Sequence, residues 1–168
     1  MNFRQSVKED IEDILTIIKQ AQAYLKEVGI DQWQNNYPNS ETIRRDIDQQ
    51  ESYVLVEGDA IVATTALSFQ GEKTYHSIYE GQWISNKEYA VIHRLAVNHI
   101  YKGSGVASKV IQCVEKICLD KGITSIKVDT HEDNRSMQRL LEKNKFQYCG
   151  IIYLEDGSKR VAFEKICE

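Results

Sequence analysis

Residues 101–110 read YKGSGVASKV, with two glycines and several small residues set between two unlike patterns. Before them, Tyr89–Val97 is a β-rich run. After them, Val106, Val110, Val114 and Ile117 recur at helical spacing. A strand that feeds an amphipathic helix through glycines can leave its main chain open to close approach. The backbone amides of Gly103, Ser104, Gly105, Val106 and Ala107 would then face outward at the positive end of a helix dipole, an arrangement that cradles phosphate. A tight strand-to-helix turn that takes glycine for geometry alone is the plainer alternative, and the segment by itself leaves both open.

The rest of the chain supplies the elements such a centre needs. Asn2–Gln5 reads as a short strand. Ser6 and Glu9 have the spacing of a capping box, and Ile11, Ile14, Leu15, Ile18, Leu25 and Val28 form a helical stripe that stops at Gly29. DQWQNNYP reads as a loop, and 41–49 as a second, short helix, with the only proline, Pro38, near the junction. Strands are expected at 53–57 and 60–69 around Gly58-Asp59. Residues 70–87 form a long connection carrying Tyr75, Tyr79 and Trp83, a length expected of a functional or mobile loop. A helix over 104–121, a strand over 125–130 and a helix over 134–143 follow. A hairpin of 146–152 and 160–166 around Asp156-Gly157 closes the chain. The order β-α-α-β-β-β-α-β-α-β-β is a mixed α/β chain, expected to form a single domain over 1–168.

Composition excludes several classes. Twenty-one basic against 25 acidic residues leave a net charge of −4, and no basic run occurs, which argues against nucleic-acid binding. The N-terminus MNFRQSVKED lacks an apolar core of signal-peptide length, and no apolar run approaches a membrane span. A cytoplasmic protein without a membrane partner is therefore expected. Cys113, Cys118, Cys149 and Cys167 form no C-x-x-C pair and are expected to be free thiols. The four histidines are scattered, so no metal site is expected.

The phosphate ligand can be narrowed by spacing. No G-x-x-x-x-G-K-[ST] string exists, and a dinucleotide fingerprint would require its third glycine at Ser108. The segment instead resembles motif A of the GNAT superfamily of N-acetyltransferases, Q/R-x-x-G-x-G/A. It aligns as Lys102-Gly103-Ser104-Gly105-Val106-Ala107, with lysine at the first position. VIHRLAV before it looks like the family's fourth strand, and NRSMQRLLEKNKF is similar to its N-x-x-A-x-x-L-Y-E-K-x-G-F segment. The resemblance implies a GNAT-like splayed mixed sheet of six to seven strands flanked by about four helices. It also implies acetyl-CoA as cofactor, with the pyrophosphate on the amides of Gly103 to Ala107. The pantetheine arm would pair with the backbone of Leu95, Ala96 and Val97, in the cleft where the fourth and fifth strands splay. Asn134 carries over as a cofactor contact; on its own residues it reads as an N-cap, and the two are compatible.

Acetyl transfer to a primary amine needs a neutral nucleophile, a stabilised oxyanion and a proton for the leaving thiolate. A lysine-type amine, with a pKa of roughly 10.4, is almost wholly protonated at neutral pH, so its proton must be removed. By resemblance, backbone N–H groups near Leu95 polarise the thioester carbonyl. The family's usual carboxylate position falls on Val91. Strand alternation puts Tyr89, Val91, His93 and Leu95 on one face, which makes His93 the candidate base, or else a hydrogen-bonded structural histidine. The family's tyrosine falls on Leu141, so Tyr148, water or an unassisted thiolate takes the acid's place. Tyr24, Trp33, Tyr37, Tyr79 and Trp83 are candidates to line the site of a small-molecule or peptide amine. A homodimer is left open. The alternative function is a catalytically silent acyl-CoA-binding regulatory module, suggested by Val91 and Leu141.

Overall fold

In the computed structural model, which describes residues 1–168, the two periodicities resolve into seven strands and four helices. They are β1 (Asn2–Gln5), α1 (Ile11–Glu27), α2 (Ser40–Asp48), β2 (Ser52–Glu57), β3 (Ala60–Ser68), β4 (Tyr89–Val97), α3 (Val106–Asp120), β5 (Ser125–Thr130), α4 (Arg135–Lys143), β6 (Gln147–Tyr153) and β7 (Lys159–Ile166). The sheet order is β1-β2-β3-β4-β5-β7-β6. Neighbours β1–β2, β2–β3, β5–β7 and β6–β7 run antiparallel, and β4 pairs β5 in parallel from Tyr89↔Ser125 to Val91↔Lys127. This is the mixed α/β architecture anticipated from the element order.

The chain groups into two compact units. The first is Met1–Leu67 with His93–Cys113, the second Ser68–Ile92 with Val114–Glu168. In the first, Ile11, Ile14, Ile17 and Ile18 of α1 pack with Ile43 of α2, Val54, Ile61 and Ala96. The α1 stripe is thus a core face, as its spacing requires. In the second, Tyr75, Val91, Ile152 and Ala162 form a core cluster flanked by Ile78, Trp83, Tyr89 and Leu154.

Several expectations are corrected. The capping box at Ser6 and Glu9 does not form, because the Ser6 hydroxyl bonds Ser52 Oγ at 2.8 Å. A 3-10 turn, Lys8–Asp10, intervenes instead, and the Asp10 carboxylate accepts from the Val7 N–H at 2.8 Å and from Arg4 at 2.8 and 3.0 Å. Helix α2 is capped by Asn39, whose Oδ1 accepts from the Thr42 N–H. Helix α3 starts at Val106 rather than 104, since Gly103 and Gly105 are left-handed at φ 78 and 81. The tight turn at Gly58-Asp59 forms with Glu57 opposite Ala60.

The connection 70–87, expected to be functional or mobile, is anchored within the second unit. Tyr75 is buried and donates its hydroxyl to Asp129 Oδ2 at 2.6 Å. Trp83 Nε1 donates to the Tyr75 carbonyl at 2.9 Å, and its ring packs on Tyr75. Ile84 N–H donates to the buried Glu164 carboxylate at 2.8 Å, and Tyr79 exchanges main-chain bonds with Ile151. Lys127, also buried, sets its ammonium over the Trp83 and Tyr89 rings at 4.3 and 4.0 Å. Tyr75, Tyr79 and Trp83, the last two expected to line an acceptor site, are attachment points of this connection.

Burial pushes the Asp129 carboxyl above its usual range, and the Tyr75 hydroxyl opposes that push. A carboxyl raised in the folded state binds more protons there than in the unfolded chain, so stability falls as pH rises through its folded pKa. Tyr75→Phe removes the donor and enlarges that loss. The expected cost is about 1.5–3 kcal/mol at pH 7 and less at pH 5. Urea unfolding of both proteins at the two pH values checks this; a pH-independent difference would show that the bond is not to a charged carboxylate.

Candidate active site

The glycine loop leaves a run of main-chain donors unclaimed. No protein carbonyl accepts from the amides of Gly103, Gly105, Val106 or Ala107, as the geometry of a helix N-terminus demands. Helix α3 is 15 residues long, so its dipole is fully developed at this end. A Cβ placed on Gly103 or Gly105 would meet nothing within 4 Å, so the space in front of both is open. The left-handed φ values also show that glycine is required here for the turn itself. The turn needs glycine and leaves these four amides open, whereas the Ser104 N–H, expected to face outward with them, donates to the Tyr101 carbonyl at 3.3 Å. An anionic group fits this donor set.

The loop is moored to α1. His99 N–H donates to Gln20 Oε1 at 3.0 Å, and Lys102 Nζ lies 4.1 Å from the centroid of the Tyr24 ring. Gln20 and Tyr24 are one helical turn apart and so share a face of α1. Lys102, read from the motif as part of the anion site, is thus exposed beside that site and stacked on a candidate acceptor residue.

Strand β4 departs from the regular alternation assumed for it. Arg94 has φ 53, a left-handed residue inside the strand. Such a residue breaks the period-two pattern, so His93 and Leu95 do not share a face by alternation, contrary to the expectation from a regular strand. Arg94 was not singled out by the sequence reading, nor was its partner. Its Nη2 and Nε donate to Asp46 Oδ1 and Oδ2 at 2.7 and 2.8 Å, and its Nη1 donates to the Tyr37 hydroxyl at 3.0 Å. Burial works against the guanidinium charge, but Tyr37 and Asp46 outweigh it and raise the Arg94 pKa. Nothing in the linear sequence pairs residue 94 with residue 46, 48 positions away.

His93 is half-buried, and its imidazole makes no hydrogen bond within the protein; only its carbonyl is held, by Thr65 Oγ1 at 3.0 Å. The hydrogen-bonded structural role is therefore not the one its ring plays. Burial, helped by the Arg94 charge, pushes its pKa down to about 4, so the ring is neutral across the physiological range.

The other candidates divide between the units. Trp33 packs against the α1 core cluster, and Tyr24 and Tyr37 are exposed beside it in sequence. Leu95 and Val97 are half-buried and Ala96 is buried. In the second unit, Asn134 caps α4, its Oδ1 accepting from the Met137 N–H at 3.1 Å. Tyr148 is exposed on β6 with its ring edge against Phe163. Tyr79 packs edge-on against Tyr153, and Trp83 is engaged as described above. Val91 and Leu141 are fully buried apolar core, which explains why neither position offers a proton-transfer group.

A family model described as the acetyltransferase (GNAT) family matches residues 15–146. Among solved structures, a GNAT-family acetyltransferase from Streptococcus agalactiae 2603 is 32% identical, with 99% of this chain and 95% of that one covered at a TM-score of 0.91. A GNAT-family acetyltransferase from Listeria monocytogenes 4b F2365 shares the fold at 18% identity and a TM-score of 0.75, covering 98% of this chain and 94% of its own. A ribosomal-protein-alanine N-acetyltransferase from Brucella melitensis shares it at 11% identity and 0.71, covering 99% of each chain. No curated protein matches this chain.

The neutral His93 has a consequence for stability. Its folded pKa of about 4 lies below the 6.5 of an unfolded histidine. Between these values the unfolded chain takes up a proton that the folded one refuses, so stability falls as pH drops through that window. Relative to His93→Gln, the wild type should lose about 2–3 kcal/mol between pH 7 and 4.5. Denaturant titrations at several pH values measure the difference; a constant offset between the two proteins means that burial does not hold His93 neutral.

Proposed function

This chain belongs to the acetyltransferase (GNAT) family, and on that premise we propose that it is an acetyl-CoA-dependent N-acetyltransferase, a single catalytic domain over residues 1–168. The acceptor is a primary amine of a small molecule or a peptide. One observation carries the cofactor assignment: the unclaimed amides of Gly103, Gly105, Val106 and Ala107, opened by two left-handed glycines at the start of α3. These amides, with Lys102 beside them, hold the pyrophosphate. The backbone of Leu95, Ala96 and Val97 pairs with the pantetheine arm, and Asn134 contributes a contact next to its capping bond. Bound acetyl-CoA supplies an activated acetyl thioester.

The chain's own groups then have separable tasks. The Leu95 amide polarises the carbonyl to be attacked, a role that needs no particular side chain. His93, neutral and with its ring unbonded inside the protein, accepts a hydrogen bond from the amine or from a water beside it. A ring of pKa about 4 is a weak proton sink for an ammonium, so most of the deprotonation falls to solvent. Rate should rise with pH along the amine's own titration, without an inflection near 6.5. Tyr148 and water are the candidate donors to the leaving thiolate. Tyr24, Trp33 and Tyr37 contact the acceptor; Tyr79 and Trp83 act by holding the 70–87 connection. No helix is long and apolar enough to cross a membrane, and the four cysteines are free thiols, three of them pushed up by burial, Cys118 to about 12, Cys149 to about 11, and Cys167 in the same direction. Both observations suit the cytoplasm.

A binding module without turnover is the second reading, favoured by the apolar burial of Val91 and Leu141. Thiol release from acetyl-CoA over a panel of amines separates the two, because a silent binder retains CoA and releases no thiol.

Gly105→Glu tests the cofactor site. A carboxylate in the anion's place should weaken CoA binding by at least about 100-fold, the loss of two charge-assisted hydrogen bonds. Gly122 is equally left-handed, at φ 77, but lies at the other end of α3, so Gly122→Glu controls for backbone strain and should leave affinity unchanged. Calorimetry on proteins that remain folded by circular dichroism decides it. Wild-type affinity in Gly105→Glu would move the site away from this loop.

A further inference from the structure

Arg94 is the one non-glycine residue within a strand that adopts a left-handed backbone. That conformation is accessible to glycine and, at modest cost, to asparagine and aspartate; an arginine there needs compensation from its surroundings. The compensation is visible on both flanks. Ahead of the turn, Thr65 Oγ1 holds the His93 carbonyl at 3.0 Å. At the turn, Asp46 grips the Arg94 guanidinium through two parallel bonds of 2.7 and 2.8 Å, and the Tyr37 hydroxyl takes a third at 3.0 Å. The ion pair is well shielded, with side-chain exposures of 15% and 7%.

We infer that Arg94, clamped by Asp46, is a positioning residue that sets the direction of the Leu95 amide. The ψ angle of residue 94 orients the peptide plane between 94 and 95, and so the N–H of Leu95. A regular extended residue 94 would return that N–H to the strand's alternating pattern; the left-handed turn takes it out of that pattern. Arginine suits the task because its planar fork fixes two bonds at once, which lysine, a single point charge, cannot do. Tyr37 brings the connection between α1 and α2 into the same network, so the segment proposed to meet the acceptor is tied to the strand proposed to polarise the thioester. The catalytic consequence rests on the acetyl-transfer reading of Leu95 given above; the clamp itself does not.

The test uses the full chain, labelled with 15N-leucine, as wild type, Asp46→Asn and Arg94→Lys. The Leu95 amide resonance should shift in both variants while Leu15 and Leu25 on α1 report an intact fold. With acetyl-CoA and an acceptor amine, kcat per folded molecule should fall about 10- to 100-fold, the range for a misdirected donor, with CoA affinity kept within about twofold. If Asp46→Asn does not fold, Arg94→Lys, which keeps the charge and loses the fork, decides alone. An unmoved Leu95 resonance overturns the clamp, whatever the wild-type enzyme does. A shifted resonance with kcat unchanged overturns its role in turnover. If the wild type itself releases no thiol, the acetyl-transfer reading has failed, and the resonance alone then supports or overturns the clamp.

Discussion

Left-handed backbone at residues 94, 103 and 105 decides where the main-chain donors of the first unit point. At Gly103 and Gly105 the conformation comes without a Cβ penalty, and the result is a set of amides that no protein carbonyl claims. At Arg94 the same conformation is unfavourable, and a shielded ion pair with Asp46 holds it. Removing one partner of such a pair leaves an uncompensated charge, which costs about 3–5 kcal/mol in well-buried cases. The chain thus holds left-handed backbone by opposite means, at 103 and 105 through the absence of a side chain and at 94 through a fully engaged one.

The second unit uses buried charge differently. Glu164, fully buried, accepts from the Ile84 N–H and from Ser125 Oγ, at 2.8 and 2.7 Å, while Asp129 takes the Tyr75 hydroxyl. Lys127 faces the rings of Trp83 and Tyr89; burial lowers its pKa and Glu164 opposes that. Each of these groups reaches into the 70–87 connection or the strands beside it. Satisfied buried polar groups of this kind make an irregular segment as ordered as a strand, because leaving any one of them unpaired is expensive.

Electrostatics at His93 completes the picture of the first unit. Desolvation and the neighbouring Arg94 charge keep its ring neutral, so it offers a lone pair without competing for a proton at neutral pH. The same Arg94 therefore acts on two groups: through its backbone on the strand geometry, and through its charge on His93.

The alternation of strand and helix periods, the glycines at 103 and 105 and the motif similarity around them were legible along the chain, because each depends on neighbours within one or two turns. Element order, the α1 core face and the glycine turn that opens the α3 start followed from that local information. The site's finer chemistry was not legible. The Ser6 cap gave way to a bond with Ser52, His93 and Leu95 lost their shared face, and Trp83 proved to be an anchor of its loop. In each case the deciding partner lies far along the sequence: residue 52 for Ser6, residue 46 for Arg94, residue 164 for the Trp83 segment. Periodicity reports which face of an element is apolar. Which charge meets which, how far a pKa moves and where a strand must turn depend on contacts that only the folded chain brings within a few ångströms.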